Sequence, residues 1–198
     1  PQPLLNVAAA VATMATVMGN RYQTETGLRA NVMMVGIGPT GCGKDAPRQA
    51  LKVLLVKHGL HQFLGGEEPA RGHGLQSALV RFADLLFLLD EFGLTLQAIA
   101  DPKAPAYKKE IGSALMKLHT SSASIFMGRE YADQEKNPRK PVAFPNANVY
   151  GTTTGEETDK AIRQDDAHSG FLNRILFVET QTPDPDPQKP ASKRDVPD

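Results

Sequence analysis

The sequence predicts an α/β fold, with a mainly parallel central sheet flanked by helices, an N-terminal helix in front and a hairpin inserted ahead of the third strand. Three observations predict it. The apolar run at residues 31–37 opens directly into a glycine-rich segment and then into a helical pattern. A second apolar run, 85–89, ends on two adjacent carboxylates, Asp90 and Glu91. Two later strand-like runs, at 148–153 and 175–179, bring the count to what a parallel α/β sheet needs.

Taken in order, residues 4–22 are rich in Ala, Met and Val, with no Gly or Pro before Gly19, and favour a helix that is apolar almost all round. The longest apolar stretch within it, 7–18, is shorter than the ~20 residues of a membrane span, so it is expected to pack beside the core and no membrane is expected. The 31–37 run is short, apolar and closed by glycine, which predicts a buried strand. After Lys44, Leu51, Leu54 and Leu55 stand at helical spacing within 48–58, and Pro47 limits where the first turn begins. A helix is expected at 75–83 after Gly72 and Gly74, then the 85–89 strand, then a helix at 104–119. Two semi-apolar runs, 124–128 and 141–144, flank the polar tip 131–140 and predict a hairpin. From Thr182 onward the chain is Pro, Asp, Lys and Ser with almost no large apolar residue, which predicts a flexible tail or linker. The expected division is an N-terminal helical segment at 1–30, a core at 31–180 and a tail at 181–198.

With 198 residues, 40% hydrophobic and 22% charged, the chain fits one soluble core plus tails. Lys plus Arg equals Asp plus Glu, 22 each, so any nucleic-acid surface must be local rather than a global positive field. Cys42 is the single cysteine, which excludes an internal disulfide or a cysteine-rich zinc site and suits a reducing cytoplasm. His58, His61, His73, His119 and His168 show no zinc-like spacing. A start at Pro1 rather than Met leads to the expectation of an excerpt from a longer polypeptide.

The segment Gly38-Pro39-Thr40-Gly41-Cys42-Gly43-Lys44 has the composition of a phosphate-cradling loop. Its glycines let backbone N–H groups converge on phosphate oxygens, the following helix presents its positive end, and Lys44 reaches the outer phosphates. Candidate nucleotide contacts therefore run from Gly38 through Lys44 to Asp45 and Ala46. The usual pattern has Ser or Thr after the lysine to hold Mg²⁺, and Asp45 stands there instead. A carboxylate is a hard ligand for Mg²⁺, and without metal it repels phosphate; a helix-capping role is the competing expectation. Asp90 is the candidate ligand that orients metal-bound water, and Glu91 the group that polarises the attacking water. Thr152, Thr153 and Thr154 end the third strand, and Thr153 is the candidate sensor of the γ-phosphate. Gly170-Phe171-Leu172-Asn173-Arg174 leads into the last strand. Arg174 is expected to stabilise phosphoryl charge in a neighbouring subunit, against the competing expectation of a salt bridge to Asp165 or Asp166.

Taken together, the 38–44 loop, Leu88-Leu89-Asp90-Glu91-Phe92-Gly93, Thr152-Thr153-Thr154 and Gly170-Phe171-Leu172-Asn173-Arg174 resemble the P-loop ATPase cores of phage and plasmid replication proteins. That group is similar to AAA+ and RecA-like helicase motors, and the order of elements resembles superfamily-three helicases, whose DNA-gripping hairpin precedes the sensor strand. The resemblance spans roughly residues 4–180. It implies an ATP- and Mg²⁺-dependent hydrolase in which Lys44 binds phosphate, Asp90 the metal, Glu91 activates water and Arg174 reaches across an interface. It also implies homo-oligomers, such as a hexameric ring, that act on single- or double-stranded DNA in the cytoplasm of the host cell. In this frame Lys136, Arg139 and Lys140 of the hairpin tip are the candidate nucleic-acid contacts, set among Asp133 and Glu135. Two rival functions stay open: a P-loop kinase acting on a small metabolite, and an assembly or packaging ATPase gated by nucleotide.

Overall fold

A computed structural model describes residues 2–164 and 170–180. The expectations for Asp165, Asp166 and the 181–198 tail fall outside them. Four strands, β1 (Met33–Ile37), β2 (Asp84–Leu89), β5 (Asn146–Thr153) and β6 (Ile175–Glu179), form one parallel sheet in the order β2-β5-β1-β6. Two short antiparallel strands, β3 (Ile125–Phe126) and β4 (Val142–Ala143), make the expected hairpin.

The strands are apolar on both faces because both faces are covered. Met33, Val35, Ile37, Leu85, Phe87, Leu89, Ala147, Val149 and Ile175 point into one core, and Met34, Leu86, Leu88 and Tyr150 into the other. That is the period of two that a pleated strand imposes. The second core is closed by α1 (Pro3–Met18) and α2 (Ala46–Lys57) through Ala8, Ala9, Ala12, Leu51 and Leu55. The first is closed by α3 (Gly72–Arg81), α4 (Phe92–Ala100), α5 (Ala106–Thr120) and α6 (Gly155–Gln164). The result is a three-layer α/β/α arrangement.

Small residues let α1 lie close to the sheet. A Cβ on Gly36 would stand 3.1 Å from Leu5 Cδ2 and 3.2 Å from the Tyr150 hydroxyl. The Tyr150 hydroxyl itself donates to the Leu5 carbonyl at 3.2 Å, and burial, with Asp45 nearby, pushes this phenol up to about 12. The end of α1 is held by Asn146, whose amide donates to the carbonyls of Ala15 and Thr16 and to Asp84. Pro3–Arg21 has the length and apolar composition of a membrane span, yet Leu5, Ala8, Ala9 and Ala12 are buried within the protein.

Two helices go beyond the sequence expectations. α4 begins immediately after Glu91, and α6 begins after Thr154, whose hydroxyl accepts the Glu157 N–H as a helix cap. α1 stops at Met18 rather than near residue 22 because Gly19 turns out of the helix with φ 57°, close against Asp84.

Candidate functional site

All four strands of the sheet run the same way, so their C-terminal ends share one edge, the edge where open α/β sheets bind ligands. The register sets Ile37 beside Thr153 and Glu179, and Leu89 beside Gly151. The residues that follow, Gly38, Asp90 and Thr152–Thr154, are therefore neighbours in space although they are far apart in sequence.

The glycine-rich loop joins β1 to α2. Gly41 and Gly43 hold φ values of 82° and 78°, a left-handed backbone that glycine adopts without a Cβ penalty. Gly38 lets the loop close on itself: a Cβ there would lie 2.7 Å from the Cys42 sulfur. The loop is anchored by Gly38 N–H donating to the Thr153 carbonyl at 3.1 Å, and by buried Gln2, whose amide donates to the Cys42 carbonyl at 3.2 Å while accepting from Thr180 at 2.6 Å. Among the described residues, the backbone N–H groups of Gly41, Gly43, Lys44 and Asp45 donate to no acceptor. A row of free amides before a helix N-terminus is an anion cradle in chemical terms. Lys44 is half-buried, with its ammonium 3.5 Å from the Pro39 carbonyl. Pro39 and Thr40 are exposed on the rim, Ala46 opens α2 with its N–H on the Gly43 carbonyl, and Cys42 is fully buried.

Asp90 is held from three sides. Its Oδ1 accepts from the Thr152 hydroxyl at 3.2 Å and from the Glu91 N–H at 2.9 Å, and its Oδ2 accepts from Arg48 at 2.8 Å. Arg48 also binds Asp45, with Nε donating at 2.7 Å, so one guanidinium joins the glycine-rich loop to the acidic strand. Asp45 makes no side-chain cap bond to α2; its carboxylate is taken by Arg48 and Gln49. Glu91 stands in the left-handed region at φ 45°, is exposed, and pairs with no cation among the described residues. An open cleft of about 880 Å³ beside it is lined by Arg48, Glu67, Asp90, Glu91, Tyr107 and Lys108, among others.

The other candidates lie elsewhere. The Thr153 hydroxyl turns to the opposite face and donates to Glu157 at 2.7 Å, leaving Thr152 as the threonine that touches Asp90. Arg174 sits at the start of β6, on the far edge of the sheet from the loop, and donates to the Gly170 carbonyl at 2.6 Å. Its charge also reaches His119, whose pKa is lowered chiefly by burial, then by the Arg174 charge, against a hydrogen bond to the Asn31 backbone. The hairpin precedes β5 and its tip folds onto α3, where the Tyr131 hydroxyl meets His73 at 3.2 Å. In that tip Lys136 pairs with Asp133 at 3.4 Å and Arg139 with Glu130 at 3.1 Å; Lys140 is exposed.

Among the described residues no group of three or more His, Cys, Asp or Glu side chains forms a metal cluster. Asp45 and Asp90, brought onto one guanidinium nitrogen at 2.5 and 2.8 Å, are the hard oxygen donors here that would hold a divalent cation such as Mg²⁺. Arg48 and Gln2 belong to this cluster without having been singled out from the sequence, and within the Thr152–Thr154 run the expectation fell on Thr153 whereas Thr152 is the one that touches Asp90. The i,i+3 spacing of Asp45 and Arg48 was the available signal for the first. The chain matches no protein-family model and no curated protein.

Proposed function

We propose that this chain is a P-loop ATPase that binds and hydrolyses Mg·ATP at the 38–46 loop, as the motor core of a replication helicase of a phage or mobile element. The observation that carries the reading is the meeting of three distant segments on one sheet edge. The free amides of Gly41, Gly43, Lys44 and Asp45 offer donors for phosphate oxygens, with Lys44 beside them. Asp90 is oriented by Thr152 and Arg48, and Glu91, which pairs with no cation among the described residues, stands on an open cleft where it can accept a proton from water. Asp90 and Asp45 are the residues that would hold Mg²⁺, whose chemistry there is to neutralise charge on the phosphate oxygens.

Arg174 lies a five-residue strand away from its own loop, about 16 Å at ~3.3 Å per residue. A role in phosphoryl transfer therefore requires a neighbouring subunit, and this supports a homo-oligomer, for which a hexameric ring is the proposed form. DNA is the proposed partner of the tip bearing Lys136, Arg139 and Lys140. The local pairing of Lys136 and Arg139 with acids favours a second reading, an assembly or packaging ATPase in which nucleotide binding itself is the output.

The test compares two variants by equilibrium ATP binding and by phosphate release. Lys44→Ala is expected to abolish binding, whereas Glu91→Gln keeps binding and loses hydrolysis. Loss of affinity in Glu91→Gln as complete as in Lys44→Ala would remove Glu91 from the role of water activation.

A further inference from the structure

The Arg48 side chain is 6% exposed, whereas its partners Asp45 and Asp90 are 47% and 53% exposed. The cation is thus the buried member, and the carboxylates reach water around it. Asp45 comes from the end of the glycine-rich loop and Asp90 from the end of β2, so the guanidinium spans two elements separated by 45 positions in the chain. Its nitrogens also stand 3.7 Å from Glu67, which Lys52 neutralises at 2.9 Å.

An ionised carboxylate has about four lone-pair sites. Asp90 uses three of them, on Thr152, Glu91 N–H and Arg48, and Asp45 accepts from Arg48 Nε and from Gln49 with Arg48 Nη2 paired to it at 2.5 Å. A guanidinium is always charged and has no lone pair for a metal. It cannot share those oxygens with a divalent ion at close range, because both would claim the same negative charge. The three carboxylates Asp45, Asp90 and Glu67 against Arg48 and Lys52 leave one net negative charge, so the cluster still attracts a cation.

We infer that Arg48 is a positioning residue that stands between Asp45 and Asp90 in place of a divalent cation, and that metal gains these two carboxylates only by displacing it. The inference deepens the ATPase reading given above and rests on it. It also accounts for Asp45 where a hydroxyl is usual: a serine would leave Arg48 bound to Asp90 without a counter-pull from the loop.

The test uses Mn²⁺ as probe on the nucleotide-free chain, with free Mn²⁺ followed by electron paramagnetic resonance. Arg48→Met is expected to bind Mn²⁺ roughly tenfold or more tightly than the unmodified chain, as expected when a fixed positive charge worth ~1.4 kcal/mol leaves the two carboxylates. Adding Asp45→Asn to that variant should erase the gain. A merely structural arginine predicts the opposite sign, since its loss would disorder Asp90. Unchanged or weaker Mn²⁺ binding by a folded Arg48→Met chain overturns the inference.

The second arm takes its reading from the unmodified chain. In the unmodified chain the Arg48 Nε–H resonance, assigned by its absence from Arg48→Lys, should lose protection from solvent exchange when Mg²⁺ and a non-hydrolysable ATP analogue are added. Persistent protection at saturation overturns the inference. If the analogue fails to bind at all, the ATPase reading fails instead, and the nucleotide-free Mn²⁺ comparison still decides the role of Arg48.

Discussion

Glu91 is a non-glycine residue at φ 45°, directly between β2 and α4. A Cβ in the left-handed region costs roughly 1–2 kcal/mol, and glycine escapes that cost while adding about 0.5–1 kcal/mol of extra chain freedom to the unfolded state. Replacing Glu91 by Gly rather than by Ala should therefore stabilise the fold by about 0.5–1 kcal/mol, the reverse of the order that these residues follow inside a helix. The comparison is clean because the exposed carboxylate pairs with no cation among the described residues, and the N–H to Asp90 survives in both variants. For a chain of this size the difference corresponds to roughly 1–4 °C in Tm. Urea and thermal denaturation of Glu91→Gly and Glu91→Ala, measured side by side, check it. Both variants should lose hydrolysis and keep ATP binding. An alanine variant as stable as the glycine variant would mean that residue 91 is not strained, and that its conformation is no part of how the site is built.

Neutralising Lys136, Arg139 and Lys140 together should lower single-stranded DNA affinity and flatten its salt dependence by about 0.7 in slope per lost phosphate contact; ATP binding should persist, and an unchanged slope removes the tip from the DNA path. Arg174→Ala should bind ATP and hydrolyse it slowly, and mixing it with Glu91→Gln should restore part of the activity once subunits exchange. Demonstrated exchange with no recovery at any ratio would confine Arg174 to its own chain or to no catalytic role. His119 is lowered in the folded chain, so the unfolded chain takes up its proton first as pH falls below about 6.5, and stability declines from there downward. His119→Gln should show a shallower decline over that window in denaturation measured from pH 7 to 5, and an equal slope would contradict the assignment.

The sheet was legible because strands buried on both faces are near-continuous apolar runs, and because Gly41 and Gly43 stand where the loop turns left-handed. α6 is harder to read because its sequence is polar enough to pass for a loop; the Thr154-x-x-Glu157 spacing is its helix-start signal, and it overlaps the threonine run that ends β5. α4 was missed where Gly93 interrupts a helical pattern. That glycine is needed because a side chain there would run into Glu157 of α6, whose Cβ would be 2.6 Å away. The choice between Thr152 and Thr153 depends on register: Leu88 pairs with Tyr150, which places Thr152 on the face of Asp90 and Thr153 on the other. The pairing of Arg48 with Asp90 was invisible for a related reason, since the two stand 42 positions apart and become neighbours only when β2 and α2 meet across the sheet edge.

The most direct test of the central claim is phosphate release from Mg·ATP by the unmodified chain, at several protein concentrations, with and without single-stranded DNA. Turnover is expected, with a specific rate that rises with protein concentration as subunits assemble and Arg174 meets a neighbour's loop, and that rises further when DNA is added. Absence of ATP binding and turnover under all these conditions would contradict the assignment of the 38–46 loop as a nucleotide site.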